Sequence, residues 1–382
     1  MRRTPRFFQY LWLAGAGVAW GLTTGVPHAA AQNFSWNDFV VTGGVSTEGY
    51  QGNLPSVAIP LRDSTEVAKA VVGEIGVRGG VVGSWTGREQ LFLSFDGGLR
   101  QFSARGFELR DYSPREWAGT ANLGVNLPVG EKAVFGARVG ARGRQVEDRP
   151  PMPLFLQPGH RAALGAVSAQ YTSEGGHRLE VEGRGEWSDF LAPAFAPQIR
   201  LLDRRSAGIE AAFQPASDLP GVLRFHLGGE VARFPEQATY RSEDPFRRDR
   251  GLHGGVSWSW QGDFLVQLAA EGRMNRSNSR RPEYDAGTAR GLVSASLPGS
   301  ISMTSYLALT AKRYRFPTEF ARLIPGEEAN SASQAYVSFS RGLASNLDAT
   351  VRVGWTRAET EIGGQYFERY GGSLLLNFRP GF

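Results

Sequence analysis

The sequence predicts an all-β protein: a transmembrane antiparallel up-and-down β-barrel of about sixteen strands, or fourteen if one marginal pair is absent. Three observations predict it. First, between residues 85 and 346 the same unit recurs seven times: an alternating apolar/polar run, a turn of three to six residues, and a second alternating run in matching register. That is how tight antiparallel hairpins are written. Second, no apolar run after residue 31 is long enough for a spanning helix, and a chain that crosses lipid without helices must close its backbone hydrogen bonds in a barrel. Third, short turns alternate with long connections such as 148–160, 191–202, 235–248 and 316–331, the asymmetry between the two ends of a membrane barrel.

The chain begins with an export signal. Arg2, Arg3 and Arg6 precede an apolar stretch from Tyr10 to Val26, and Ala29-Ala30-Ala31 offers a small-residue cleavage site before Gln32. Residues 1–31 are therefore expected to be a Sec-type signal peptide and residues 32–382 a single barrel domain. Loss of the three arginines, with no acid among residues 1–31, takes the formal charge of +5 to about +2. Arginines alternate with apolar residues along the mature chain, and only Lys69, Lys132 and Lys312 are lysines. Such spacing lacks the clustered basic stripe that nucleic acid requires. The absence of cysteine removes any disulfide framework or lipid-bearing thiol.

In order, the strands are expected near 35–47, 69–85, 89–104, 116–127, 132–146, 161–172, 177–190, 203–214, 221–234, 249–260, 264–277, 286–297, 301–315, 332–340, 347–361 and 366–382. Nearly all reach the ~9–11 residues a tilted transmembrane strand needs, and an even count returns both termini to one side. A turn around Gly87 opposes Arg78 to Asp96 and Glu74 to Arg100 on one face, with Val81, Gly79 and Ile75 beside Leu93, Phe95 and Leu99 on the other. The turn Gln261-Gly262-Asp263 sets Trp260 by Phe264, Trp258 by Val266 and His253 by Glu271; Pro298-Gly299-Ser300 sets Leu297 by Ile301, Ser296 by Ser302 and Ser294 by Thr304. A turn around Gly130 faces Arg144 to Glu116, Arg142 to Ala118 and Arg138 to Asn122. The outward set includes Leu93, Phe95, Val256, Val266, Leu309 and Val353.

Tryptophans mark the two ends of this wall. Trp85, Trp258 and Trp260 fall at short-turn ends and Trp117, Trp187 and Trp355 toward long loops, as two interfacial girdles do. A soluble sandwich would have to bury these apolar faces against a second sheet. The last segment, from Tyr370 through Leu374, Leu376 and Phe378 to Phe382, alternates to its end and stops on an aromatic. It resembles the closing strand of bacterial outer-membrane β-barrel proteins, with porin-like architecture and no specific subfamily; Pro380 departs from the usual pattern. The resemblance implies the outer membrane as location, with outer-membrane lipid, lipopolysaccharide and the barrel-assembly machinery as partners, and it allows a homo-oligomer. No loop matches the inward-folded third loop of general porins, so no constriction residue is carried over.

Sixteen strands leave an aqueous lumen. The expected pore-lining residues are Glu74, Arg78, Asp96, Arg100, Glu116, Arg138, Arg142, Arg144, Glu182, Glu210, Arg224, Glu230, Glu271 and Arg273, with Glu180, Arg184, Glu186, Asp348 and Arg352 on the same faces. Such charges either pair across strands and hold the wall or sort solutes by their field. Arg138 and Arg142 stand out: the expected register sets no acid opposite Arg138 or diagonal to it, gives Arg142 only Glu116 on a diagonal, and the sixth strand holds no acid at all. They are the expected source of uncompensated positive charge.

Three apolar stretches, 150–156, 191–197 and 316–325, are expected to cover one another or fold into the barrel mouth. His226 and His253 face the lumen, each with a carboxylate opposite, Glu210 and Glu271, and Ser257 shares the face of His253. Without a serine at a demonstrably reactive position this is half of a nucleophile-activating set, and no two histidines have ligand spacing on one strand. No catalytic residue, metal or cofactor is assigned. The expected function is a channel for passive diffusion of small hydrophilic or charged solutes. The alternatives are a gated hydrophobic-solute channel, the barrel of an export assembly, and, third, a barrel hydrolase.

Overall fold

In a computed structural model, residues 34–53, 68–84, 89–105, 113–147, 158–192, 197–217, 219–239, 243–280, 282–316, 331–360 and 364–381 are described. They contain sixteen strands: β1 (Phe34–Gly52), β2 (Ala68–Gly83), β3 (Gln90–Arg105), β4 (Arg115–Val129), β5 (Ala133–Glu147), β6 (His160–Thr172), β7 (Arg178–Phe190), β8 (Arg204–Gln214), β9 (Val222–Ala238), β10 (Phe246–Gln261), β11 (Phe264–Ser277), β12 (Tyr284–Leu297), β13 (Ile301–Tyr314), β14 (Ser333–Ala344), β15 (Leu347–Glu359) and β16 (Tyr366–Phe378). Each pairs with its sequence neighbours, and β1 closes on β16 from Val41↔Phe378 to Gly52↔Phe367. A closed ladder leaves no edge, which is the condition for a β-structure in lipid.

The two faces divide as the alternation requires. Val167, Val353, Ile209 and Leu227 are each 60–64% exposed, and all point outward, where a soluble protein would have no reason to display them. Lipid is the solvent that satisfies this surface. Leu309 belongs to the same band, and Trp36, Trp117 and Trp187 are exposed near its borders. A bulge between Trp36 and Asp38 turns the tryptophan outward against Phe39 while Asp38 points inward to Arg78. Trp85, the expected signal peptide at 1–31, Phe382 and most of the three apolar loop stretches lie outside the described residues.

Registers test the hairpins one by one. Arg78↔Asp96 and Glu74↔Arg100 stand as expected, as do Leu297↔Ile301 and Ser294↔Thr304. Three other hairpins are shifted by two residues. Arg144 lies opposite Ala118, Arg142 opposite Thr120 and Arg138 opposite Gly124; Glu210 faces Gly228, not His226; and His253 faces Arg273, with Trp260 opposite Val266. The reason is the turn apex, which falls one residue beyond the expected one. Gly130 takes a left-handed conformation (φ 65°) and leads into the turn, and the Gly262 amide donates to the Phe264 carbonyl around Asp263. A two-residue slip preserves which face each side chain occupies.

Several strand boundaries also differ. β1 runs to Gly52, five residues past its expected end, and brings Glu48 and Tyr50 into the wall. Half of the connection expected at 235–248 is strand, because β9 continues to Ala238 and β10 starts at Phe246. Pairing skips from Arg247↔Phe234 to Phe246↔Ala238, so Pro235, which has no amide to donate, sits where no ladder bond is needed. β16 ends at Phe378, and the Arg379 amide then donates to the Asn346 carbonyl.

Candidate functional site: the charged lumen

Inward positions of β1 to β5 build one cluster. Arg100 pairs with Glu48 of β1, with Glu74 at 3.5 Å and with Glu116 at 3.3 Å, and its guanidinium stands 4.9 Å over the Phe102 ring. Arg144 reaches Glu116 at 2.9 Å along a diagonal, and the Tyr50 hydroxyl donates to Glu48. Three carboxylates converging on two half-buried arginines tie β1 to β5 together, since each charge removed would leave its partners unpaired.

Arg138 and Arg142 are paired, contrary to expectation. Arg138 donates to both Glu182 oxygens at 3.1 Å, and Arg142 meets Glu186 at 2.8 Å. Both acids stand on β7, two strands away. The path is open because β6 places Ala166 opposite Arg138 and Ala162 opposite Arg142, and an extended guanidinium can bridge two inter-strand spacings of about 4.8 Å each. Glu186 is shared with Arg204 at 3.2 Å, Arg184 reaches Glu230 at 3.7 Å, and Arg224 lies 3.6 Å from both Glu180 and Glu210. Glu271 pairs with Arg290 at 3.0 Å.

On the lumen face, Asp96, Arg273, Arg352 and Arg369 are described residues without an ionic partner. Arg78 turns from Asp96 to Asp38 at 3.5 Å. Arg273 has its Nε buried with no acceptor, and Arg352 stands 4.9 Å over the Tyr336 ring. Arg369, Glu48, Arg204, Arg290 and Lys312 are lumen residues that the sequence reading missed. Strand parity alone would have found Arg369 two positions before Gly371 on the face of Ser373; Glu48 needed the true length of β1.

The opposite arc is richer in hydroxyls and tyrosines. Thr288 and Thr310 lie 3.0 Å apart, Ser294 and Thr304 3.2 Å, Ser340 and Thr350 2.7 Å, and Tyr306 stacks on Tyr336 at 5.4 Å. Between the arcs is open space. A cavity of about 550 Å³ is bounded by Glu48, Glu74, Arg100, Tyr336, Arg352 and Arg369, drawn from β1 to β4 and β14 to β16. A second, of about 160 Å³, lies toward the long loops and includes Arg142, Glu186, Arg204, Arg273 and Lys312. Its apolar lining includes Leu202, which closes the short 3-10 turn Pro197–Leu202 and is buried, together with Phe190 and Phe234. Arg247 anchors this end: it is buried over Phe234 at 4.0 Å, chelates Asp249 and donates to Gln237 at 2.8 Å.

The histidines take other partners than expected. His253 meets Glu210 of β8 at 3.2 Å, so its acid is not Glu271, and His226 lies 6.2 Å from His253 between ring centres. Ser257, four residues along β10, is about 13 Å away by strand rise. Among the described residues no group of three or more ligating side chains could hold a metal ion.

Fold and lumen together define a transmembrane antiparallel barrel with an ionisable interior. No family model matches the chain, and no curated protein matches it. Similar solved structures are bacterial outer-membrane β-barrels. The Pseudomonas putida toluene transporter TodX shares 9% identity with a TM-score of 0.41, over 95% of this chain and 93% of that one. OccK2 of Pseudomonas aeruginosa, solved in complex with glucuronate, shares 9% with a TM-score of 0.40, over 90% and 96%. A bacterial polysaccharide outer-membrane secretin shares 10% with a TM-score of 0.41, over 89% and 98%. At these values the likeness is one of general fold.

Proposed function

We propose that this protein is an outer-membrane channel, exported by a Sec-type signal at residues 1–31, for passive diffusion of small hydrophilic or charged solutes. The observation that carries this reading is the lumen: a space enclosed by sixteen strands and lined by ionisable side chains, several of them unpaired. Three unpaired arginines, Arg273, Arg352 and Arg369, outnumber the single unpaired carboxylate Asp96. In a bore with low-dielectric walls that surplus favours anions. Outer-membrane lipid, lipopolysaccharide and the barrel-assembly machinery belong to this reading as partners. Catalysis does not.

Refolded protein in a planar bilayer should carry steady open-channel current, with a reversal potential in a salt gradient on the anion side. Arg273→Gln should move that potential toward cations at low ionic strength, where screening is weak. Absence of current from folded, inserted protein would transfer the assignment to the gated alternative. One observation favours that second reading: Leu202, Phe190 and Phe234 form an apolar rim at the long-loop end of the smaller cavity. Under a gate, Leu202→Ser would raise the open fraction; under the open channel it would leave single-channel conductance nearly unchanged.

A further inference from the structure

The outward face carries an arrangement that cross-strand chemistry does not explain. Near the long-loop ends of β8 to β11, like charges stand directly opposite one another: Arg205↔Arg233, Arg233↔Arg248 and Arg250↔Arg276. Such oppositions destabilise an antiparallel pair. Asp244 answers Arg248 at 3.3 Å and Asp285 answers Arg276 at 2.6 Å. Arg205, Arg233 and Arg250 have no acid partner among the described residues, and all three are exposed; Arg233 lies 5.9 Å over the Phe246 ring.

Their position selects the counter-charge. Arg233 and Arg250 sit one alternation beyond the apolar outer band, next to Val231 and Leu252 on their own strands, and Arg205 lies one alternation beyond Ala207, with Ile209 and Leu227 deeper in that band. In a membrane this is the level of the headgroups. Planar guanidinium groups spaced across adjacent strands match phosphate oxygens in geometry and charge.

We propose that the outward ends of β8 to β11 bind the phosphate groups of an anionic membrane lipid, with Arg205, Arg233 and Arg250 as direct contacts and Arg248 shared with Asp244. The inference rests on the barrel lying in a membrane. It requires no conduction, so a silent channel that binds lipid would overturn only the proposed function, and a conducting one that does not would overturn only this.

The test is native mass spectrometry of the refolded full chain in neutral detergent, titrated with diphosphorylated lipid A, its dephosphorylated form, or inorganic phosphate as competitor. Wild type should bind the phosphorylated lipid at least about tenfold more tightly than the dephosphorylated one. The double variant Arg205→Gln/Arg233→Gln should lose most of that preference, while Arg115→Gln/Arg341→Gln, with the same loss of outward charge elsewhere, should keep it. Heat-modifiable gel mobility verifies that each variant is folded. Equal binding of the two lipid forms by wild type, or unchanged binding by the Arg205/Arg233 variant, would overturn the proposal. So would competition by inorganic phosphate at concentrations equal to the lipid, which would mark a free-anion site.

Discussion

Asp203, at the long-loop rim just before β8, accepts the Phe190 amide at 2.6 Å. Burial, and after it the neighbouring Asp189 carboxylate, pushes its carboxyl up to about 6, and the Phe190 donor only partly offsets them. A carboxyl raised in the folded state binds its proton there more readily than in the unfolded chain. Its stabilising contribution is therefore complete at low pH and is lost as pH rises through about 6. The urea midpoint should rise between pH 7 and pH 5, and Asp203→Asn, which mimics the protonated form, should flatten that dependence. The lumen charges teach a different lesson about single residues. Which residues face inward followed from alternation, yet the partners of Arg138 and Arg142 did not. Their acids stand two strands away, and a side chain that reaches over Ala166 or Ala162 is invisible to any pairwise reading of adjacent strands.

Hairpin registers show what a turn controls. Where the register stood as expected, on β2–β3 and β12–β13, every opposed pair was legible; where the apex moved by one residue, every pair on that hairpin moved by two and kept its face. Alternation is a property of each strand, while register is a property of the turn. The seam between β1 and β16 has no turn at all and depends on close backbone approach. A Cβ on Gly371 would press into the Thr47 carbonyl oxygen. Gly371→Val should therefore destabilise the barrel by roughly 2 kcal/mol, as overpacking does. Gly272→Ala, where nothing lies within 4 Å of the added atom, should be nearly neutral. Urea unfolding followed by heat-modifiable mobility separates the two; equal stability would mean the seam opens to accommodate the side chain.

The whole barrel is a device with two solvents, and substitutions should sort by face more than by residue type. Val353, 63% exposed and near the middle of β15, faces outward, so Val353→Arg should cost about 2–4 kcal/mol in vesicles. Gln334→Arg, on the wall of the larger lumen cavity, should cost well under 1 kcal/mol and shift conductance instead. Folding free energies in lipid vesicles would measure both. Comparable losses at the two sites would contradict the assignment of faces. The lumen is also uneven around its circumference: ion pairs crowd β1 to β9, whereas hydroxyl and tyrosine pairs on β12 to β15 stand beside only a few cations, Arg290, Lys312 and Arg352.

By itself the sequence determined the antiparallel order, the inner and outer faces and the alternation of short and long connections, and it narrowed the strand count to sixteen or fourteen. These are local properties: each is written in the period-two pattern of a single strand or in a turn beside it. Tertiary structure decided which charges remain unpaired. Sequence placed the surplus on Arg138 and Arg142; the folded barrel gives those two acids and leaves Arg273, Arg352 and Arg369 without them. It also extended β1 to bring Glu48 under Arg100, and it lined up like charges on the outward ends of β8 to β11. The physical reason is common to all three. Compensation of charge depends on distance across several strands, and that distance exists only after strands far apart in sequence have been wound into one closed wall.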